Sequence, residues 1–321
     1  MKGMKRLLLS MMVLLSAALG AQAQQAYTFS QWSFDPYIIN PAVAGLEGCL
    51  QIHGGYRMQW VGFENAPRSM YINGHRDFGR ERSYKRGFHG FGATIMRDAQ
   101  GAFEVISLTP SYAYHRRINK KYTLSMGLAV GFQQHSFRPD AANLPVGGDP
   151  LIGGTTAFYV WPEFKAGVWL KGKKGFAGLS MDNIYKTRIA GWSGAGIGSP
   201  SPFKKHYYLI AGKRIKSERW YITHEPSVLV KYAFLWPPSI DLSYKVYMAD
   251  NLGFGAMWRN TDALIAMVEY NIAKKIRLAY AFDFTTSKVR LGSSNGHEFM
   301  FRYVHCFKNE VRSIPLCPAY D

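Results

Sequence analysis

The C-terminal stretch His297–Phe307, which reads HEFMFRYVHCF, alternates large aromatic side chains with polar ones. Phe299 and Phe301 fall on one face, and Met300 and Arg302 fall on the other. Successive side chains of a β-strand point to opposite faces, so this period of two predicts a strand between two different environments. The same alternation recurs along most of the chain. Its repetition predicts a transmembrane β-barrel, with aromatic side chains towards lipid and polar side chains towards the lumen.

About 14 stretches carry this alternation, an even number, as is usual for bacterial outer-membrane barrels. We therefore predict an all-β fold, a transmembrane antiparallel up-and-down β-barrel. Pro110 and Pro162 fall inside two of the strands, where proline is tolerated only at bulges or weakly paired positions. The predicted strands lie near residues 49–60, 66–78, 87–98, 103–118, 121–137, 155–170, 175–184, 206–215, 220–234, 238–248, 251–260, 262–273, 275–285 and 297–307.

Residues 1–23 have the pattern of a secretory signal peptide. Three basic residues precede the apolar stretch Leu7–Leu19, and Ala21-Gln22-Ala23 forms a small-residue cleavage site. The apolar stretch is too short for a stable membrane span, and no later stretch approaches the roughly 20 apolar residues that a spanning helix needs. An exported chain with this strand pattern is either a large secreted β protein or an outer-membrane barrel, and we favour the barrel.

The lead-in segment, residues 24–48, does not alternate. Its Pro36 and Pro41 restrict the preceding residues to extended conformations, and its apolar content disfavours a segment that hangs free in water. We expect an irregular but ordered segment packed in or at the periplasmic mouth of the barrel, as a plug or docking element. The alternative is a simple tether to the first strand. Its candidate partner-binding residues are Phe29, Trp32, Phe34, Tyr37, Ile38, Ile39 and Asn40.

The connections between the predicted strands differ at the two ends of the barrel, residues 49–307. Those on the N-terminal side are short and basic, whereas the opposite side carries the three longest, Arg138–Gly154, Lys186–Lys205 and Thr285–Gly296. Short periplasmic turns and long outer loops are the usual asymmetry of outer-membrane barrels, so we expect the N-terminus and the tail, residues 308–321, to be periplasmic. The candidate basic rim consists of Arg80, Arg82, Lys85, Arg86, Lys120, Lys121, Lys173 and Lys174.

The basic rim allows three interpretations. The formal net charge is +18, of which three positive charges belong to the signal peptide. The remaining excess is able to pair with anionic lipid headgroups, each contact contributing about 1 kcal/mol, or with an acidic periplasmic protein. A solvated rim without a partner is the third interpretation. Nucleic acid is not expected as a partner, because an exported barrel rarely meets it.

No pattern predicts catalysis, a cofactor or a metal ion. The sequence has no HExxH or CxxC motif and no GxSxG in the strand-to-helix context of a catalytic serine, and the glycine-rich stretch Gly191–Gly198 lacks the following Lys-Ser/Thr of a phosphate loop. Charges of both signs fall on inward strand positions, where we expect ion pairs rather than acid–base chemistry. These residues are Glu225, Asp241, Glu269 and Asp283, with Lys231, Lys245, Arg277 and Arg302.

Three cysteines are present, Cys49, Cys306 and Cys317. In a closed up-and-down barrel the first and last strands are antiparallel neighbours. Cys49 then lies at the same end of the barrel as Cys306, and the alternation points both inwards. We expect them to come within disulfide range, with Cα atoms closer than about 7 Å. Pairings that use Cys317 remain open.

The stretch FSQW…FDPYIINPAVAG, followed by YRMQWVGFENAPRSMYING, carries a family resemblance over Phe29–Gly74. It closely resembles the opening of the PorP/SprF family of Bacteroidota outer-membrane proteins. Members of that family are associated with type IX protein secretion and gliding motility, and the resemblance implies a role of this kind. The tail with Cys317 does not map onto the family pattern.

The resemblance implies function through protein–protein contact rather than as an enzyme. One role is a shared component that connects the outer membrane with the secretion machinery. The other is a dedicated partner of one exported surface protein, and the sequence does not separate the two. The alternative function is a passive outer-membrane channel for small solutes.

Overall fold

In the computed structural model, the described residues are 29–79, 87–138, 157–184, 205–217, 222–233, 237–248, 251–273, 275–286 and 295–306. Two short 3-10 helices, Pro36–Ile38 and Pro41–Val43, precede the strands. The strands are β1 (Leu50–Met58), β2 (Arg68–Phe78), β3 (Phe88–Gln100), β4 (Phe103–Arg117), β5 (Thr123–Phe137), β6 (Ala157–Lys171), β7 (Gly175–Asp182), β8 (His206–Lys213), β9 (Ile215–Ser217), β10 (Ile222–Ala233), β11 (Ser239–Met248), β12 (Leu252–Arg259), β13 (Ala263–Ala273), β14 (Ile276–Thr285) and β15 (Gly296–His305).

The strands form one closed antiparallel barrel. Each strand pairs with its neighbours along the chain except β8 and β9, which do not pair with each other, and β1 pairs with β15 over Leu50–Met58. Because β8 and β9 both pair with β10, they share one position in the wall, which gives the predicted fourteen-strand barrel. Within the described residues, no helix is long and apolar enough to cross a membrane.

Pro226 accounts for the interruption between β8 and β9. β10 pairs with β8 from Ser227 onwards and with β9 up to His224, so Pro226 lies in the gap between the two ladders. Proline has no N–H to donate to a ladder, and a break in pairing there avoids an unmet hydrogen bond. Sequence reasoning overlooked this proline, and it placed Lys216 in a turn, whereas Lys216 belongs to β9.

The other two strand prolines occupy weakly paired positions, as expected. Pro110 and the preceding Thr109 are skipped in the β4–β5 ladder. Pro162 pairs with β5, but the β6–β7 ladder begins only at Lys165, so no described strand flanks the proline on its other side. The missing N–H therefore costs little at either site.

The alternation of the strands places apolar side chains outside and polar ones inside. In β15, Phe299 and Phe301 are exposed on the outer surface, whereas Met300 and Arg302 are buried in the lumen. Of the eight inward charges predicted from the sequence, Lys231 is half-buried and the others are buried, and several of them form ion pairs. This arrangement matches a barrel whose outer surface meets lipid.

The two ends of the barrel differ in the length of their connections. We call the end that carries Cys49 and Cys306 the disulfide rim, and the other end the opposite rim. At the disulfide rim, β6 and β7 are joined by only residues 172–174, and β13 and β14 by 274–275. The long connections 138–156, 183–205 and 286–295 are all at the opposite rim.

Candidate functional site

The segment Phe29–Cys49, which we call the plug, lies inside the lumen against inward-facing side chains of the wall. Trp32 is only 1% exposed and belongs to a core with Trp169 and Ile210 of the wall. A second cluster joins Phe29 and other plug residues to the wall. Of the lead-in residues singled out from the sequence, Ile39 is half-buried and the other six are buried: Phe29, Trp32, Phe34, Tyr37, Ile38 and Asn40.

Glycines on the inner face of the wall let the plug backbone approach closely. A Cβ atom added to Gly127 would lie 2.3 Å from the backbone nitrogen of Ala42. One added to Gly90 would lie 1.8 Å from the carbonyl oxygen of Ala44, and one added to Gly167 would lie 2.0 Å from Asn40 Oδ1. Any side chain at these positions would push the plug away from the wall, because such distances are far inside van der Waals contact.

The plug runs from the disulfide rim at Cys49 to the level of the opposite rim at Ser30. There, the carboxylate of Glu298 accepts two successive backbone N–H groups, from Ser30 (2.7 Å) and Gln31 (2.8 Å). The Ser30 hydroxyl donates to Asp283 Oδ2 (2.9 Å) and accepts from Arg57 Nη1 (2.5 Å). Hydrogen bonds to a carboxylate are stronger than neutral ones, so this cluster fixes the tip of the plug.

The middle of the plug is held by polar contacts to β1, β2 and β4. Asn73 Nδ2 donates to Asp35 Oδ2 at 2.6 Å, and His53 Nδ1 lies 3.7 Å from Asp35 Oδ1. Burial raises the pKa of Asp35 above its ordinary value, because a buried carboxylate loses its hydration. The Tyr37 hydroxyl is 2.6 Å from Ser111 Oγ, and burial raises the pKa of Tyr37 to about 12.

Asn40 connects the plug with two wall strands. Its Nδ2 donates to the carbonyl oxygens of Val168 in β6 (3.1 Å) and Leu179 in β7 (3.2 Å). Its Oδ1 accepts from the backbone N–H of Ala42 (3.0 Å) and caps the second 3-10 helix. The side-chain amide therefore fixes both the local turn and its position on the wall.

Two wall histidines hold the last turn of the plug. The Gly45 N–H donates to His75 Nδ1 at 3.1 Å, and His115 Nε2 donates to the carbonyl oxygen of Ala44 at 2.8 Å. His115 also lies 2.7 Å from Ser125 Oγ through its Nδ1. The imidazoles thus satisfy backbone groups that would otherwise be buried without partners.

The base of the plug carries an ion pair and a covalent bond. Lys171 Nζ donates to both carboxylate oxygens of Glu47 at 2.9 Å. Cys49 and Cys306 are joined by a disulfide bond across the seam between the first and last strands, with Cα atoms 4.5 Å apart. Cys317 lies outside the described residues. The plug is therefore tied to the closing seam of the barrel at this rim.

Plug and wall leave little open space in the part of the lumen between β7, β8 and β10. A cavity of about 20 Å³ lies there, lined by Phe29 and Ile38 of the plug and by Asp182 and Lys231 of the wall. This is room for about one water molecule. Several buried polar atoms, including both carboxylate oxygens of Glu225, have no partner among the described residues, which is typical of sites that hold internal water.

The disulfide rim presents a set of exposed lysines. Of the rim residues named from the sequence, four are described and all are exposed: Lys120, Lys121, Lys173 and Lys174. Three further exposed lysines at this rim are Lys213, Lys216 and Lys275. Arg80, Arg82, Lys85 and Arg86 lie outside the described residues. In the described part of this rim no carboxylate is exposed, because Glu47 and Asp77 are both buried.

Sequence reasoning missed the wall residues that hold the plug. Glu298 and Lys171 were assigned only to strands and turns, and Ser30 was not singled out. Inward-facing glycines such as Gly127 and Gly167 were a usable signal, since glycine in a strand often marks close approach of another backbone. The glycine-rich stretch Gly191–Gly198 lies outside the described residues, as do residues 1–23, the predicted signal peptide.

The described residues contain no group of three or more His, Cys, Asp or Glu side chains arranged to hold a metal ion. The wall charges instead contact one another. Lys245 Nζ is 2.6 Å from Glu269 Oε1, and Lys231 Nζ is 2.9 Å from Asp241 Oδ2. This confirms the expectation that inward charges of opposite sign form ion pairs.

Comparison with known proteins gives one family match. The model of the family described as "Type IX secretion system membrane protein PorP/SprF" matches residues 21–303. No curated protein matches the chain. Among solved structures, the Acinetobacter baumannii outer membrane protein Omp33 is similar with a TM-score of 0.47 and 5% identity, covering 82% of this chain and 100% of that chain. The Pseudomonas putida toluene transporter TodX has a TM-score of 0.47 and 12% identity, covering 91% and 97%. With both TM-scores below 0.5, neither likeness carries a conclusion about this chain.

Proposed function

The chain belongs to the PorP/SprF family of type IX secretion system membrane proteins and is an outer-membrane barrel of that system, and we propose that it acts there through contacts with other proteins. The observation that carries the proposal is the lysine-rich disulfide rim, where Lys120, Lys121, Lys173 and Lys174 are exposed. A surface of one sign favours a partner of the opposite sign and speeds its association.

The plug supports contact rather than passage through the lumen. Trp32 and Asn40 are buried against the wall, and Gly127 and Gly167 leave no room between wall and plug. The seated plug occupies the part of the lumen through which an exported polypeptide would have to pass. In this proposal the exported protein therefore does not pass through the closed barrel.

The proposed orientation puts the disulfide rim in the periplasm and the long connections 138–156, 183–205 and 286–295 outside. It is supported by the usual asymmetry of outer-membrane barrels. The partner at the rim is then an acidic surface of a periplasmic secretion component, and the outer loops are available to an exported surface protein. A periplasmic N-terminus and a role in gliding motility remain predictions, and residues before Phe29 lie outside the described ones.

The experiment substitutes Gln for four of the exposed lysines of the rim, Lys120, Lys121, Lys173 and Lys174. Surface charges contribute little to stability, so the barrel should fold and insert as before. Capture of the periplasmic partner and secretion should both fall, and capture by the unaltered barrel should weaken at high salt because salt screens exposed charges. The readouts are cross-linked complexes from the native envelope and exported protein in the medium.

A matched control removes four positive charges from the other end of the barrel. The substituted residues are Arg68, Arg97, Arg138 and Lys205, each to Gln. Because both variants change the net charge equally, an effect of the rim variant alone assigns the partner to the disulfide rim. Unchanged secretion and capture in the rim variant would leave a solvated rim without a partner.

A further inference from the structure

Except for the Lys171–Glu47 pair at the base, the ion pairs described below connect residues of the lumen wall with each other. Arg57 of β1 contacts Asp283 of β14 at 2.5 Å and Glu298 of β15 at 2.8 Å. Arg259 and Asp241, on neighbouring strands, are 3.1 Å apart. A wall charge whose counter-charge is also in the wall keeps its partner when the plug moves away.

The tip of the plug adds only neutral groups to this network. It contributes the Ser30 and Gln31 N–H groups and the Ser30 hydroxyl, which water is able to replace. In the middle of the plug, Asp35 is paired with the neutral amide of Asn73. Withdrawal of residues 29–44 therefore leaves no cation of these wall pairs without its carboxylate.

Apolar contacts hold the plug in its closed position. Trp32, Ala42 and Val43 are buried in a cluster with wall side chains that include Trp169 and Ile265. Exposing this apolar area to water is unfavourable, so the closed state is the resting state. Replacing buried ion pairs by apolar packing is often neutral or stabilising, and the wall nevertheless retains its charges.

The base of the plug is fixed separately from its body. The Glu47–Lys171 ion pair and the Cys49–Cys306 disulfide bond both lie at the disulfide rim. They keep the segment attached to the barrel when residues 29–44 leave the wall. The attachment makes the movement reversible, because the freed segment remains next to its site.

We propose that the barrel is a gated pore: residues 29–44 leave the lumen while the base stays attached, and the emptied lumen conducts small hydrophilic ions and solutes. Barrels with more strands leave aqueous channels, and fourteen strands enclose a lumen wide enough to hold a folded segment. Because the wall carries carboxylates and cations together, conduction distinguishes only weakly between anions and cations. This activity is independent of the proposed partner contact.

The test measures the conductance of the purified full-length protein in planar lipid bilayers bathed in potassium chloride solution. Gly127→Leu and Gly167→Leu force the wall against the plug and should raise the fraction of time open by about 5- to 150-fold, the range that overpacking of a closely packed site gives. Gly74→Leu is the matched control, since its Cβ meets no atom closer than 3.7 Å. It should be as quiet as the unaltered protein.

Trp32→Ala weakens the packing of the plug against the wall without adding volume to the wall. It provides the test if the leucine variants do not fold. An intact Cys49–Cys306 bond and heat-modifiable gel migration report a folded barrel in each variant. Steady conductance in the folded Trp32→Ala or leucine variants, with a quiet control, supports the proposal. Two results overturn it: folded variants that stay closed, or an unaltered protein that conducts as steadily as they do.

Discussion

Replacement of Trp32 by alanine should release the plug without destroying the barrel. The indole is 1% exposed and lies in the cluster that joins the plug with the wall. Truncation of a buried Trp to Ala costs about 3–5 kcal/mol, because apolar contact is lost and a cavity remains. The strand ladders do not include this residue, so the loss should fall on the equilibrium between seated and released plug.

That free energy sets the size of the effect. Since 1.4 kcal/mol is a factor of ten, the released fraction should rise by about two to three and a half orders of magnitude. Hydrogen exchange of the Ser30 and Gln31 N–H groups reports this fraction, because each is bonded to the wall residue Glu298 only when the plug is seated. Amides in the β4–β5 ladder should exchange as slowly as before.

Trp258→Ala is the matched control. Trp258 is 50% exposed on the outer face of β12, so its truncation removes the same side chain from a lipid-facing site. It should leave the exchange of the plug amides unchanged. Equal exchange rates in the Trp32 variant and the unaltered protein would refute the view that core packing seats the plug.

Three further predictions concern the plug and its base. Gly45→Ala should lower the free energy of unfolding, measured in denaturant titrations, by more than Gly101→Ala does. Both glycines have positive φ, which costs alanine roughly 1–2 kcal/mol, but only at Gly45 would the added Cβ atom collide with backbone atoms. Equal losses of stability in the two variants would exclude this collision. Because the pKa of Asp35 is raised in the folded protein, the unfolded chain loses this proton at lower pH. The free energy of unfolding should therefore fall as the pH rises above 3.8, the ordinary pKa of the Asp side chain. The Asp35→Asn variant should not show this fall, and an equal fall in that variant would exclude Asp35 as its cause. Peptide mapping without reductant should recover Cys49 linked to Cys306, whereas a link from either to Cys317 would contradict the pairing.

Much of the barrel was predictable from alternation. In β15 the pattern alone places Phe299 outside and Arg302 inside, because a strand has only two faces. The position of Cys49 next to Cys306 follows from closure and parity, since the first and last strands must be neighbours. These features depend on local periodicity and on one topological rule.

The contacts between the wall and the plug were not predictable in the same way. Glu298 reads as one more inward charge, and its bond to the Ser30 N–H joins residues 268 positions apart. No local pattern encodes such a contact, because the plug has no regular period from which to infer which side chain meets which wall strand. Inward glycines such as Gly127 signal close approach, but they do not identify the approaching segment.

The central claim is that the barrel serves secretion by contact while its lumen is closed, and a locked plug tests it most directly. A Cβ atom on Gly167 lies 2.8 Å from Asn40 Cγ, so Asn40→Cys with Gly167→Cys places two thiols within disulfide reach. We predict that cells whose barrels carry this second disulfide secrete as much as cells with the Asn40→Cys single variant, which leaves Gly167 unchanged. Loss of secretion when the bond forms, with recovery upon reduction, would contradict the account.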